Sequence, residues 1–417
     1  MLTSDVFQQV VLATLDSKVV AAGGVSPPPL SASDEECAIA ALTDAARRLK
    51  EDPSLLSGDP DGDFTFEDPI LAIAAFWCRS SEEVHQLVVA AGSPGEELQS
   101  GVRLSWMLTG VHAFLSRGDH AKVELGGRTP SAPIKVKEEQ LHIAVVGDAG
   151  YKGLAQDKVL RLILDRHNEV PFHFVIHLGD VYFAGGIKEM TVNFLNPFSK
   201  VRNAGATLYT LLGNHDLYYG GEGYLFALNI LGQPGRYFLI ENPHWRIACL
   251  DTSLGAERIL GNDAKLDENQ LNWLDGILRS RDARPLILMS HHYLVSGWEQ
   301  PAATLLNQLS GCIKDRVFAW YWGHEHCASL YGKEAFGFQG ACIGNGSFLA
   351  KWKYPKPSLQ TPEWYPTGRC TCFGPSKKDF WQHGYVELEF SEHSLVETVW
   401  LEGGSSHGRK FDRKPHP

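Results

Sequence analysis

The sequence predicts a layered α/β domain behind a helical N-terminal third. Two observations carry this. Before about residue 135 the apolar residues recur only at helical spacing, and after it short β-rich runs alternate with amphipathic helices. The domain limits expected are a helical region with its linker at 1–134, the α/β domain at 135–402 and a loose tail at 403–417.

In the first third, Ser33-Asp-Glu-Glu36 has the form of a capping box, and Ile39, Leu42, Ala45, Ala46 and Leu49 follow on one helical face. Ile70–Cys78 and Leu98–Leu115 continue the helical pattern between breakers at Ser26–Pro29 and Gly58–Gly62. The acidic turn at Asp59, Asp61 and Asp63 is no calcium loop, because Phe64 and Ile70 stand where Gly and Glu are needed. Ser116–Gln140 is polar and broken by Gly126-Gly127, Pro130 and Pro133, and reads as a linker or surface strap. Strands are then expected at Leu141–Val146, Phe172–Leu178, Thr207–Leu212, Trp245–Leu250, Leu286–Met289 and Val317–Tyr321. Helices are expected at Asp157–His167, Asp267–Ser280 and Pro301–Cys312, the second capped by Asp267 with Gln270 three residues on. Tyr385–Phe390 and Leu395–Trp400 suit a closing antiparallel pair.

Composition narrows the function. The formal charge is −11, from 38 Lys+Arg against 49 Asp+Glu, and no segment is strongly basic, which argues against a long nucleic-acid partner. No apolar run approaches the ~20 residues that span a bilayer, so no membrane partner is expected. The start lacks a basic n-region and an apolar core. Eight cysteines without framework spacing read as reduced thiols, with Cys370 and Cys372 the one close pair, so a cytoplasmic protein is expected. Asn345-Gly-Ser347 matches a glycosylation sequon by pattern alone.

Five strand ends finish on metal-ligand residue types: Gly147-Asp148-Ala-Gly150, Gly179-Asp180, Gly213-Asn214-His215-Asp216, His291-His292 and Gly323-His324-Glu-His326. A rigid apolar strand, a glycine that lets the chain turn, and a projecting side chain recur in each. One such end is an ordinary turn; five in order are not.

This ordered series resembles the calcineurin-like metallophosphoesterase superfamily over about residues 141–401. The resemblance implies an αββα two-sheet sandwich with two divalent or trivalent transition metals at one edge. Its commonest first motif is Asp-x-His, whereas Gly150 stands at the His position, as in the purple acid phosphatase branch. That branch places a metal-binding Tyr three residues after the bridging Asp; here Tyr182 comes one residue early. Either Tyr182 binds the metal or water fills the position and Tyr182 packs. By carry-over, metal one takes Asp148, Asp180 and His326, with Tyr182 the open case, and metal two takes Asp180, Asn214, His291 and His324. His291 is preferred to His292 by family habit. Nitrogen and oxygen ligands suit Fe, Mn or Zn.

The mechanism this implies is attack by a metal-bridging hydroxide on a small phosphate ester, a monoester in preference to a diester. His215 is assigned as proton donor, with Asp216 holding it protonated; the alternative is that His215 only braces the ligands. Tyr218, Tyr219 and Gly220–Gly223 are expected to loop over the site, and Trp298 and Glu299 are candidates to line the substrate pocket. The competing readings are a phosphodiesterase for a small nucleotide or other diester, and a metal-free scaffold. The sequence does not address the oligomeric state.

Overall fold

The computed structural model describes residues 120–413, apart from 131, 183–184, 219, 257–263, 334–336, 349, 351 and 371–379. The helices read from residues 33–115, the acidic turn, Cys37, Cys78, Cys372 and Tyr219 lie outside the described residues.

Two mixed sheets face each other. The first orders β13(Ser406–Asp412), β12(Ser394–Leu401), β11(Gly384–Phe390), β2(Leu141–Val146), β3(Phe174–His177) and β4(Thr207–Thr210) side by side. The second runs β1(Ile134–Lys135), β5(Phe238–Glu241), β6(Arg246–Cys249), β7(Leu286–Ser290), β8(Ala319–Trp322), β10(Gln339–Ile343) and β9(Ala328–Tyr331). Strands β2, β3 and β4 are mutually parallel, as are β6, β7 and β8, so each sheet gathers several carboxyl ends at one edge.

Alternate residues of each strand point opposite ways, which sorts the apolar side chains into three layers. Ile143, Val145, Ile176, Ile287, Met289, Val386 and Val399 fill the space between the sheets. Ala144, Val146, Val175 and Leu208 pack outward against α2(Leu154–Glu169), α3(Asn196–Asn203) and α4(Glu222–Leu231). Leu286, Leu288, Trp320 and Trp322 pack against α5(Glu268–Arg279) and α6(Ala303–Ile313). This is the αββα sandwich.

The expected capping pair is present: the Asp267 carboxylate accepts the Gln270 N–H at 2.9 Å, opening α5, whose Leu274 faces the core. Helix α6 begins at Ala303, leaving Pro301 and Ala302 outside it. The closing pair is present as β11 and β12, paired antiparallel.

Three expectations are corrected. Residues 406–412 of the expected tail are not loose, because β13 adds to the edge of β12 and Arg409 reaches the buried Glu397 at 2.9 Å. The stretch 116–140 is not a plain linker. It forms α1(His120–Gly127), with Leu125 fully buried, and β1, which pairs with β5. Asn345 is buried and donates to the Gln382 carbonyl at 2.9 Å, so the sequon is not available for glycosylation.

Cys249, Cys312, Cys327, Cys342 and Cys370 form no disulfide. Among the described residues, no helix is long and apolar enough to cross a membrane.

Arg236 ties the second sheet to α1 and α5. Its fully buried guanidinium donates to Asp251 at 2.6 Å, to Asp267 and to the Leu125 carbonyl at 3.1 Å. Arg236→Ala leaves the buried Asp251 carboxylate without its cation, and a loss of about 3–5 kcal/mol is expected. A fall in denaturation midpoint of that size checks it; an unchanged midpoint rules the tie out.

Candidate metal centre

The strand ends converge. Beyond β2, Asp148 is buried with φ 56°; beyond β3, Asp180 is buried with φ 70°; beyond β8, His324 and His326 have φ 70° and 53°. Non-glycine residues adopt this left-handed backbone at a cost, and such strain collects where side chains must be aimed. Gly213, beyond β4, makes room for the arrangement, since a Cβ there would lie 2.1 Å from Asp180 Oδ1.

One cluster surrounds the Tyr182 hydroxyl. It donates to Asp148 Oδ1 at 2.7 Å, with Asp180 Oδ2 at 3.2 Å and His326 Nε2 at 2.9 Å. His326 Nε2 is 3.4 Å from Asp148 Oδ1. Gly150 explains the missing first-motif histidine: a Cβ there would meet Val181 Cα at 2.5 Å and the Asp180 carbonyl at 2.6 Å. The space beside Asp148 is taken by Tyr182 instead. Its backbone is fixed on both sides, the N–H donating to the Gly150 carbonyl at 3.0 Å and the carbonyl accepting from Asn193 Nδ2 at 2.7 Å. Asn193 belongs to a π-helical stretch, Met190–Leu195, a form often found next to functional sites. Burial, and then the Asp148 and Asp180 carboxylates, hold the phenol well above its usual range, so the proton stays on in the absence of a cation.

A second cluster shares Asp180. His291 Nε2 lies 3.4 Å from Asp180 Oδ1, 3.0 Å from Asn214 Oδ1 and 3.1 Å from His324 Nδ1. His324 Nδ1 is also 3.0 Å from Asn214 Oδ1, and the His324 backbone N–H donates to Asp148 Oδ2 at 2.7 Å. His291 Nδ1 donates to the Leu178 carbonyl at 2.9 Å, which turns Nε2 toward the cluster. His291 thus aims Nε2 at Asn214 and His324. His292 is also buried, its Nδ1 2.9 Å from Thr252 Oγ1 and its ring 4.5 Å from that of His324.

The donor set fits metal. His291 Nε2, Asn214 Oδ1 and His324 Nδ1 lie 3.0–3.1 Å apart with Asp180 Oδ1 3.4 Å from His291 Nε2, a nitrogen and oxygen donor set that suits a transition metal. Asp148, Asp180 and His291 place ligand atoms within 4.8 Å of one another, as do His291, His292 and His324. The charge balance points the same way. Burial disfavours a charged His291, yet Asp180, with Asp148 and Asp216 behind it, outweighs burial and raises the ring to about 9. His324, desolvated and facing the charged His291, falls to about 3. Asp180, despite burial, is held well below the carboxylate range by His291 and His215. A cation must displace the His291 proton, so uptake strengthens as pH rises.

Asp216 is placed differently from the expectation that it holds His215. Its carboxylate accepts the N–H groups of Asp180 at 3.1 Å, Val181 at 2.9 Å and Gly213 at 2.8 Å. It therefore clamps two ligand loops together. Burial and the charge of Asp180 push it up to about 7 against those three donors. His215, on the 3-10 turn His215–Leu217, gives its backbone N–H to Asp180 Oδ1 at 3.0 Å. Its Nε2 lies 4.0 Å from Asp180 Oδ2, its ring is 4.7 Å from that of Tyr182, and its side chain is 14% exposed. The ring stands at the rim, beside Asp180.

Other expectations move. Glu222 and Gly223 open helix α4 rather than continuing a loop. Trp298 is buried against Trp381 and Tyr365, its indole N–H on the Lys353 carbonyl at 3.1 Å, and is core rather than pocket. Glu299 accepts from the Tyr293 hydroxyl at 3.2 Å.

Three contributors escaped the sequence. Phe348 packs 4.4 Å from both Tyr182 and His326, ring to ring. Ser347 donates its N–H to the Asp148 carbonyl at 3.1 Å. His177, lowered to about 4 by burial, accepts the Ala149 N–H at 3.3 Å and donates to Thr210 Oγ1 at 2.9 Å, fixing the Asp148 loop. Ser347 and Phe348 lie too far along the chain from Asp148 and Tyr182 for spacing to reveal them. His177 sits inside an apolar strand and carries no signal beyond that of a buried histidine.

A family model for calcineurin-like phosphoesterases matches residues 141–328, the span that holds all five strand ends. Residues 141–328 form a calcineurin-like phosphoesterase domain. Membership of this family implies a metal-dependent phosphoester hydrolase that uses divalent metal ions. No curated protein matches the sequence. Among solved structures, GAP50, the anchor in the inner membrane complex of Plasmodium, is similar over 67% of this chain and 90% of its own, with 16% identity and a TM-score of 0.52. A dimetal phosphatase from Danio rerio is similar over 64% of this chain and 98% of its own, with 14% identity and a TM-score of 0.46. PhoD is similar over 67% of this chain and 70% of its own, with 14% identity and a TM-score of 0.40. At these identities the likeness concerns the fold of the phosphoesterase domain.

Proposed function

We propose that the phosphoesterase domain hydrolyses a small phosphate monoester with a pair of transition metals, to both of which Asp180 would contribute, and that Tyr182 would be among the residues that hold an iron ion. The observation that carries this reading is the Tyr182 hydroxyl, at 2.7 Å from Asp148, 3.2 Å from Asp180 and 2.9 Å from His326. Asp148, Asp180, Tyr182 and His326 would hold one ion, and Asp180, Asn214, His291 and His324 the other. When bound, the cations lower the pKa of a water and offset the phosphate's charge. The chain does the rest. Asp148 and Asp180 supply the negative charge that retains the cations, and the Leu178 carbonyl keeps His291 Nε2 turned inward. Asp216 holds the Asp180 and Gly213 loops at fixed separation. His215 delivers a proton to the departing ester oxygen, for which its rim position leaves the ring reachable by substrate. A monoester dianion carries more charge for these groups to offset than a diester, which favours the monoester.

The test is a parallel assay of an aryl phosphate and a bis-aryl phosphate on protein loaded with iron, manganese or zinc. Faster hydrolysis of the monoester is expected. Faster hydrolysis of the diester replaces the reading with a diesterase, and hydrolysis of neither returns it to a scaffold. A second expected result concerns colour. Ferric-loaded protein should absorb in the visible through a phenolate-to-iron transition, and Tyr182→Phe should abolish the band. A colourless ferric-loaded wild type would remove Tyr182 from the ligands.

A further inference from the structure

We propose that Cys370, His383 and Glu402 form a separate zinc site at the end of the β11–β12 ladder. The pairing of Gly384 with Leu401 continues one step to His383 and Glu402, where the Glu402 N–H donates to the His383 carbonyl at 2.8 Å. Cross-strand neighbours at such a position bring their side chains together on one face. Cys370 is held beside them by its N–H on the Phe380 carbonyl at 3.0 Å. The Cys370 thiol, a His383 ring nitrogen and a Glu402 carboxylate oxygen lie within 4.8 Å of one another. None of the three side chains is open to solvent: Cys370 is 4% exposed, His383 0%, and the Glu402 side chain 0%.

The independent observation is the His383 ring. Nδ1 lies 3.2 Å from the Asn345 carbonyl, and since a carbonyl only accepts, Nδ1 carries the proton. Nε2 is then a bare lone pair, buried and without a hydrogen-bond partner. A buried acceptor left unpaired is costly in a folded protein and calls for an occupant. This is also the arrangement of a metal-binding imidazole, one nitrogen anchored to the backbone and the other offered to the ion.

Sulfur with nitrogen and a carboxylate selects zinc over magnesium or calcium, and three protein ligands leave one position for a fourth donor. A thiolate, a carboxylate and a neutral imidazole sum to the charge that a dication cancels. Lys158 Nζ lies 3.6 Å from Glu402 Oε2. The site reaches the catalytic rim through the backbone. Asn345, anchored by His383, is followed by Ser347, whose N–H holds the Asp148 carbonyl. The ion's role is to pin that rim.

Cobalt substitution of the full-length metal-free chain tests this without reference to turnover. The ligands assigned to the two catalytic cations contain no sulfur, so a sulfur-to-cobalt charge-transfer band in the near ultraviolet reports a thiolate site alone. The band is expected in the wild type and absent in Cys370→Ser, and zinc content should fall by one ion per chain in that variant. His383→Gln, which keeps the thiol, is the second variant and should also lose the ion. No band in the wild type overturns the proposal. A band and zinc content unchanged in both variants also overturn it, and would point instead to Glu325, Cys327 and Cys342, which form the other sulfur-bearing group among the described residues.

Discussion

Asp180→Asn is expected to slow hydrolysis of an aryl phosphate roughly 1,000-fold, the size of losing one preorganised charged group at a reacting centre. Its carboxylate faces both clusters, with Oδ1 3.4 Å from His291 Nε2 and Oδ2 3.2 Å from the Tyr182 hydroxyl. An amide of the same shape offers one oxygen and no charge, so it cannot serve two cations. Metal content should fall with the rate. The change also removes the main charge that raises His291, so that ring's pKa should fall. Turnover near the wild-type rate with both metals retained would remove Asp180 from the bridge.

His215→Ala is expected to lower turnover about 10²–10⁴-fold with the metals retained, the range for losing a positioned proton donor. The two effects separate because His215 meets Asp180 by two routes. Its backbone N–H donates to Asp180 Oδ1 at 3.0 Å and survives the substitution, whereas the side chain, with Nε2 at 4.0 Å from Oδ2, does not. A proton donor matters most when the departing oxygen is a poor leaving group. The loss should therefore be larger for an alkyl phosphate than for a nitrophenyl phosphate. An equal loss for both, or a loss of metal, would assign His215 to bracing instead.

Much of the scaffold was legible because burial on both faces leaves a plain signal. Strand β2 is apolar apart from His142, and its bounds at Leu141 and Val146 are those read from the sequence. The convergence of the strand-end loops was legible because each carries a glycine that lets the chain turn, followed by a polar side chain. What was hidden depends on contacts across the chain. Strand β13 has no apolar alternation of its own; it forms because the edge of β12 offers a ladder and Glu397 needs Arg409. Helix α1 sits in a polar stretch, and its tie to the core is the buried Leu125, which packs in the layer outside the first sheet.

The case of Asp216 is of the same kind. Adjacency to His215 suggested support for that ring, but the 3-10 turn aims the carboxylate at the N–H groups of Asp180, Val181 and Gly213. Tyr182 was ambiguous by counting, and its place in the fold depends on volume. Gly150 has no room for a side chain, and the phenol occupies the space beside Asp148.

Anomalous scattering from a crystal grown with manganese tests the central claim most directly. The account predicts two peaks ~3.5–4 Å apart, one on each side of the Asp180 carboxylate. One should lie against Asp148, Tyr182 and His326, and the other against Asn214, His291 and His324. Peaks elsewhere, or none among these residues, would contradict it.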